Sequence, residues 1–419
     1  MKRLIIEGNH ELTGEIKISG SKNSAVALVP AAVLCDEVVT IANVPIISDI
    51  EALDEILTFL GAKVERKDDI IKIDSTNIES KKIPNSISTK LRASYYFMGA
   101  LLSRFKKVEM YFPGGCSIGA RPINLHLKGF EALGAKIEEK DNFFTIEADK
   151  LKGARINLDF PSVGATINLM LAATKAEGTT IIANAAKEPH IVNVATFLNN
   201  MGAKISGAGT SEIKIVGVKK LKSCFHEVVP DYIESGTYMI LASMIGKDMV
   251  ISNLIPDHEE ALISKLEEAN VSMEIGIDSI TISKPDNLKA VNIKTQGYPG
   301  FPTDLQQPMC ALLTQAKGKS IINETIYDNR FLNLKEFNKM WATTELLTNQ
   351  KAVIVGPSKL TGKTVNATDL RAGASLVLMA LVAEGETIIN NADYILRGYE
   401  NIVEKLQNVG AKISIEEIE

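Results

Sequence analysis

The stretch Gly114-Gly115-Cys116-Ser117-Ile118-Gly119-Ala120-Arg121-Pro122 sets a thiol beside a fixed cation in a glycine-rich segment. Glycine opens backbone conformations closed to other residues and lets the chain approach a ligand closely, which suits a lid over a site. A guanidinium five residues past the thiol can hold an anion or lower the thiol pKa. The same residues also fit an ordinary turn around a buried apolar cysteine, so this stretch alone leaves both readings open. The arginines point to anion chemistry more broadly. Of 46 basic residues only nine are arginine: Arg3, Arg66, Arg92, Arg104, Arg121, Arg155, Arg330, Arg371 and Arg397. A guanidinium grips phosphate or carboxylate through two parallel bonds, which an ammonium cannot do. In a lysine-dominated chain each arginine is therefore a candidate anion ligand, although Arg3, Arg66 and Arg104 also read as plain surface choices.

Composition bounds what such chemistry serves. The 419 residues, 45% of them hydrophobic, are enough for two or three globular domains. The longest apolar runs, such as Ala25 to Leu34, are too short to span a bilayer, and the first fourteen residues do not read as an export signal. Cys35, Cys116, Cys224 and Cys310 are widely spaced and the five histidines form no cluster, which predicts reduced thiols in a cytoplasm, with no metal and no cofactor. A net charge of -5 without long basic runs argues against a nucleic-acid partner. Neither a membrane nor an obligate protein partner is expected.

The elements that must position these residues form an internal repeat. Leu60-Gly61-Ala62-Lys63-Val64 recurs at Leu133 to Ile137, Met201 to Ile205 and Val409 to Ile413, with weaker copies at Ala269-Asn270-Val271 and Met340-Trp341-Ala342. The markers Gly61, Gly134, Gly202, Asn270, Trp341 and Gly410 are spaced by 73, 68, 68, 71 and 69 residues. An amphipathic helix pattern precedes each marker, where a left-handed C-cap is wanted, and an alternating hairpin follows most of them. Upstream lies a second helix that is apolar on most sides and so buried, as in Val163 to Ala173 or Ala372 to Ala383. The module reads as βαβαββ.

Six modules fit a ring, a solenoid or two clusters of three. The last module ends without its second hairpin strand, whereas Arg3-Leu4-Ile5-Ile6-Glu7 at the N-terminus is an unassigned strand. The N-terminal strand is therefore expected to complete the last module. This predicts one domain at 21–229 and a second built from 1–20 plus 230–419, with a break near Val229-Pro230.

Aligned on the markers, Arg121 and Arg397 both stand 13 residues before a glycine, at the predicted start of an amphipathic helix, with Asp257 and Asp328 in the same slot of other modules. The buried helices begin near Lys22, Arg92, Ser162, Asp231, Asp304, and Asp369 with Arg371. Carboxylates there read first as caps, so Asp231 and Asp257 are expected to be caps and not catalysts. Cations at a helix N-terminus oppose the dipole, and that cost points to an anionic ligand.

Across its whole length the sequence resembles the enolpyruvyl transferases, most closely the members that use UDP-N-acetylglucosamine. The resemblance is carried, in order, by Ser21-Lys22-Asn23-Ser24-Ala25, Leu91-Arg92, Gly114 to Pro122, Pro161 to Thr166, Phe301-Pro302-Thr303-Asp304, Asn329-Arg330-Phe331, Thr368 to Ala372 and Arg397-Gly398-Tyr399-Glu400. It implies an inside-out α/β barrel fold of two domains, three modules in each, with the active site between them. It implies transfer of the enolpyruvyl group of phosphoenolpyruvate to the 3-hydroxyl of UDP-N-acetylglucosamine, releasing phosphate, the first committed step of peptidoglycan synthesis. Carried over by motif, Cys116 donates a proton to the enolpyruvyl C3 and Asp304 accepts the proton of the sugar hydroxyl. Lys22, Arg121 and Arg397 take the phosphate side of phosphoenolpyruvate, Arg330 and Arg371 the carboxylate side, and Asn23 also binds it, with Asp369 aiding proton removal or orienting an arginine. For the nucleotide sugar the resemblance points to Arg92, Arg121, Pro122, Ile123, Asn124, Leu125, Ser162, Val163, Gly164, Asp304 and Ile326.

The chain departs from the family pattern at four places. Tyr232 replaces a usual arginine, Leu396 a frequent aspartate before Arg397, Asn124 a common aspartate, and Trp341 the marker glycine of module five. The last is expected to alter a helix end and not the chemistry. Two alternatives stay in view, a shikimate-pathway enolpyruvyl transferase and a weakly active ligand-binding paralogue.

Overall fold

The computed structural model describes residues 2–112 and 123–417. Two hydrophobic cores with no member in common organise it, one drawn from residues 25–228 and the other from residues 4–18 and 232–413. The chain divides accordingly into a first unit, residues 20–112 with 123–229, and a second unit, residues 2–19 with 230–417.

The third module of the first unit shows the repeat in full. Strand Arg155–Asn157, helix Val163–Ala173, strand Thr179–Ala183 and helix Pro189–Asn200 precede a hairpin of Lys204–Ser206 and Glu212–Val216. Arg155–Asn157 runs parallel to Thr179–Ala183, and Glu212–Val216 lies antiparallel between Thr179–Ala183 and Lys204–Ser206. Among the described residues five sheets have four strands and one has three. In that smaller sheet a leading strand is reduced to a single parallel bridge, Ile83 to Met110.

Some strands come from far along the chain. Lys2–Glu7 lies antiparallel between Glu386–Asn390 and Lys412–Glu417, supplying the hairpin strand that the last module lacks. Glu15–Lys17 runs parallel to Met249–Ser252, and Phe225–Glu227 parallel to Val38–Ala42, so each leads a module distant in sequence.

Three helices are almost wholly buried in each unit: Lys22–Ala31, Tyr96–Phe105 and Val163–Ala173 in the first, and Tyr232–Ile245, Gln306–Leu313 and Leu370–Val382 in the second. Small residues let them approach closely, since a Cβ added at Gly99 would lie 2.3 Å from the backbone oxygen of Asn168. The partner helices Ser48–Leu60, Asn124–Ala132, Pro189–Asn200, Glu260–Glu268, Asn333–Lys339 and Ile402–Asn408 keep an exposed face. All six markers after them are left-handed, with φ from 97° to 104° at the four glycines, 73° at Asn270 and 69° at Trp341. Trp341 thus does not alter the helix end as expected; the chain keeps the turn and carries the steric cost of a Cβ in it. Among the described residues no helix is long and apolar enough to cross a membrane.

Candidate active site

Four of the six buried helices start from a side-chain cap. Ser21 accepts from the amide of Ser24 and Ser162 from that of Ala165, while Asp231 accepts from Ile233 and Glu234, and Asp369 from Arg371 and Ala372. The other two begin with a 3₁₀ turn, Arg92–Tyr95 and Thr303–Leu305. Asp231 is a cap, as expected. Asp257 is not, because it lies in the turn Pro256–His258, which makes no side-chain cap bond.

In the second unit Asp304 stands at the focus of two guanidiniums. Its Oδ1 accepts from Arg330 Nη2 at 2.6 Å and its Oδ2 from Arg371 Nη2 at 3.1 Å. Arg330 is 1% exposed and Arg371 4%. Burial opposes the charge on Arg330, but Asp304, Tyr327, Asp369 and Glu324 outweigh it and leave the pKa above its ordinary value. Arg371 is raised as well: burial opposes its charge, and Tyr399, Asp304 and Asp231 hold it. Asp304 keeps about a quarter of its side chain exposed, so a partly accessible carboxylate is held between two fixed cations.

Support for this cluster comes from residues that sequence reasoning did not single out. Arg330 Nη1 donates to Thr303 Oγ1 at 3.2 Å, and Thr303 donates to Glu324 Oε2 at 2.9 Å. Glu324, fully buried, also accepts from Thr295 and from the amides of Ile326 and Tyr327, which fixes the segment carrying half-exposed Ile326. Asp369 spends Oδ1 on its cap, while Oδ2 lies 3.4 Å from Gln307 Nε2. Arg397 closes the short helix Asp393–Leu396 and does not begin Ile402–Asn408, contrary to the 13-residue spacing argument. A short helical turn precedes the amphipathic helix here, as the turn Pro256–His258 does before Glu260–Glu268.

In the first unit Lys22 lies at the first turn of its helix, 2.8 Å from Asp49 Oδ2, both side chains largely buried. Asn23 follows it, half-buried. Arg92 lies with Cζ 5.6 Å from the Phe112 ring centroid. Ile123 and Leu125 are buried and Asn124 is exposed. Ser162, Val163 and Gly164 form the start of a helix, and a Cβ on Gly164 would lie 3.1 Å from the ring of His126 and 2.8 Å from the Tyr95 hydroxyl. His126 is another residue that sequence reasoning passed over. Asn168 accepts from the Gly99 amide, so its Nδ2 must be the group that faces His126 Nδ1 at 3.0 Å and Tyr95 O at 2.9 Å. That makes Nδ1 an acceptor and puts the ring proton on Nε2. Burial, with the nearby Arg92 charge, pulls the His126 pKa down to about 3, so the ring is neutral.

Cys116, Arg121 and Pro122 lie outside the described residues. The cysteines within them, Cys35, Cys224 and Cys310, are free thiols whose pKa burial pushes up, to about 11 at Cys224, which leaves them unreactive at neutral pH. Among the described residues no cluster of three or more histidine, cysteine or acidic side chains could hold a metal ion.

Six βαβαββ modules in two units, with arginine and carboxylate groups at buried-helix N-termini, define the enolpyruvyl transferase fold. A family model for EPSP synthase (3-phosphoshikimate 1-carboxyvinyltransferase) matches residues 6–406, and the chain belongs to that family. It is 53% identical over 412 residues to UDP-N-acetylglucosamine 1-carboxyvinyltransferase 2 of Listeria monocytogenes serovar 1/2a, covering 98% of this chain and 97% of that protein. It is 51% identical over 424 residues to the protein of the same name from Geobacillus kaustophilus, covering 100% and 99%. Among solved structures it is similar to the enolpyruvyl transferase NikO from Streptomyces tendae, with a TM-score of 0.90, 25% identity, and 99% and 98% of the two chains covered.

Proposed function

We propose that the protein transfers the enolpyruvyl group of phosphoenolpyruvate to the 3-hydroxyl of UDP-N-acetylglucosamine and releases phosphate, the first committed step of peptidoglycan synthesis, in the cytoplasm. The observation that carries this reading is identity above 50%, over essentially the whole chain, to proteins named for that reaction. The geometry of the second unit supports it, because Asp304 is a partly exposed carboxylate held between two buried guanidiniums.

In this reading Asp304 takes the proton of the sugar 3-hydroxyl as that oxygen attacks C2 of phosphoenolpyruvate, and Cys116 delivers a proton to C3. The product is again an enol ether, so phosphate leaves C2 and a proton leaves C3 to restore the double bond. Lys22, Arg121 and Arg397 hold the phosphate, Arg330 and Arg371 hold the carboxylate, and Asn23 also contacts phosphoenolpyruvate. Each charge-assisted bond contributes roughly 1.5–3 kcal/mol, so several orient a small trianion firmly. Asp369 caps the helix that bears Arg371 and so orients that arginine. The nucleotide lies along Arg92, Arg121 to Leu125, Ser162 to Gly164 and Ile326. The chain's own family model bears the name of the 3-phosphoshikimate enzyme, which makes that acceptor the second reading.

The test is phosphate release from phosphoenolpyruvate with UDP-N-acetylglucosamine or with 3-phosphoshikimate as acceptor. Turnover is expected with the nucleotide sugar alone. Cys116→Ala should abolish it while Cys116→Asp, which still carries a transferable proton, retains some; Asp304→Asn should cost about 10²–10⁴-fold in kcat. Turnover with 3-phosphoshikimate alone would reassign the acceptor, and full activity of Cys116→Ala would remove the thiol from the mechanism.

A further inference from the structure

The first turn of the helix Lys22–Ala31 is closed into a ring of hydrogen bonds. The Ser24 amide donates to Ser21 Oγ at 3.3 Å, which is the helix cap, and the Ser24 hydroxyl donates onward to Asn193 Oδ1 in the helix Pro189–Asn200. The same Oδ1 lies 3.5 Å from the Val229 amide, and the Val229 carbonyl accepts from the Ser21 amide at 2.7 Å. Ser21, Ser24 and Asn193 are all buried. Lys22 and Asn23 are the two residues between the serines.

Asn193 fits only one way round. The Val229 N–H can only donate, so Oδ1 faces it; the Glu227 carbonyl can only accept, so Nδ2 faces it, at 3.3 Å. Nδ2 also lies 2.9 Å from His226 Nε2 in the strand Phe225–Glu227. An amide turned end for end would set N–H against N–H and carbonyl against carbonyl, at a cost greater than the bonds replaced. One side chain therefore ties the start of a helix to a second helix and to segment 226–229. Residues 25–31 of the first helix are apolar and buried, so packing fixes its body. A helix end frays more readily, and the polar hub acts only there, where Lys22 and Asn23 stand.

We propose that Asn193 is a positioning residue for Lys22 and Asn23: by accepting from Ser24 and Val229 it holds the first turn in the geometry in which both residues meet phosphoenolpyruvate. The proposal rests on the reading of Lys22 and Asn23 as ligands of that substrate. It predicts a loss on phosphoenolpyruvate that the nucleotide sugar does not share. Without the hub the substrate must itself order the turn, and that ordering is subtracted from its affinity.

The experiment is steady-state kinetics on the full chain with each substrate varied, with thermal melting of every variant. Asn193→Leu, similar in size and without polar side-chain atoms, should raise KM for phosphoenolpyruvate about tenfold, the scale of one or two hydrogen bonds, with KM for UDP-N-acetylglucosamine unchanged. Asn193→Asp keeps the acceptor and loses the donor; it should lower Tm yet leave KM for phosphoenolpyruvate within about twofold of the unaltered protein. Ser24→Ala should raise that KM about threefold and add nothing in an Asn193→Leu background, because its hydroxyl acts only through Asn193. If neither Asn193 variant folds, Ser24→Ala decides the matter, and an unchanged KM overturns the proposal. Lys22→Gln separates the two layers, its affinity read by calorimetric titration with phosphoenolpyruvate. If that affinity is unchanged, the underlying reading of Lys22 fails. If it falls while Asn193→Leu lowers Tm alone or moves both KM values equally, or if Asn193→Asp raises KM as much as Asn193→Leu, the positioning role is overturned.

Discussion

The two units start their buried helices with opposite electrostatics. In the second unit Asp231 and Asp369 are the caps, and Asp304 stands at the turn leading into the third helix. In the first unit the caps are the neutral Ser21 and Ser162, Lys22 is neutralised by Asp49, and His126 is held uncharged beside Gly164. An aspartate cap satisfies the positive end of the helix dipole but repels an anion; a serine cap satisfies the amides and leaves the dipole available. The helix starts of the first unit therefore keep more of their positive dipole uncompensated than those of the second. In the second unit two of the nine arginines gather around a single carboxylate, Asp304.

Acid should separate the units most strongly. Burial and Arg92 lower the His126 pKa to about 3, and burial lowers that of His226 to about 4, both in the first unit. Unfolded, both rings return to about 6.5, so the unfolded chain binds protons that the folded one refuses, and stability is lost as pH falls below that value. The second unit has one lowered histidine, His258, opposed by Glu259, whose carboxyl burial pushes well above its ordinary range. The sign at Glu259 is reversed: its contribution is full below about pH 4.5 and is lost as pH rises. From pH 7 to 5 His126 alone should cost the first unit about 2 kcal/mol, read as hydrogen-exchange protection corrected for intrinsic rates. His126→Gln should remove most of that loss, and an equal response of the two units would end the contrast.

The caps themselves should differ by less. Asp231→Ala and Asp369→Ala should each lower stability by about 1–2 kcal/mol in urea denaturation, and Ser21→Ala and Ser162→Ala by about 0.5–1 kcal/mol. If the serine variants lose more than the aspartate variants, the charge on the cap is not what distinguishes the units. The smallest effect concerns a helix end. Trp341→Gly removes a Cβ from a left-handed turn, a gain of about 1 kcal/mol, against the loss of a long cation–π contact with Lys363 of about 0.5 kcal/mol. A slight rise in Tm is expected, and a fall would show that the indole ring contributes more than its turn costs.

Much of the frame was legible in the sequence because it is local and repeated. A left-handed helix end, an apolar helix and an alternating hairpin are each written in a few adjacent residues, and six copies reinforce one another. The N-terminal strand was legible by bookkeeping alone, since one module lacked a strand and one strand lacked a module. The spacing argument failed at Arg397 because the last amphipathic helix starts only at Ile402, and Arg397 closes the preceding turn Asp393–Leu396 instead. It failed at Asp257 for a similar reason, a 3₁₀ turn standing where a capped helix was expected.

The sequence by itself determined the modules, their number, and which residue types stand at the helix starts, because short-range sterics and hydrophobic periodicity decide those things. Only the tertiary structure decided how the charges are used. Glu324, Asp49 and Asn168 carry no motif of their own, and each matters through a partner on another element: Thr303 and the Ile326 segment, Lys22, and His126. Hydrogen-bond direction and burial are properties of such pairs, and the pairs exist only once the helices have packed.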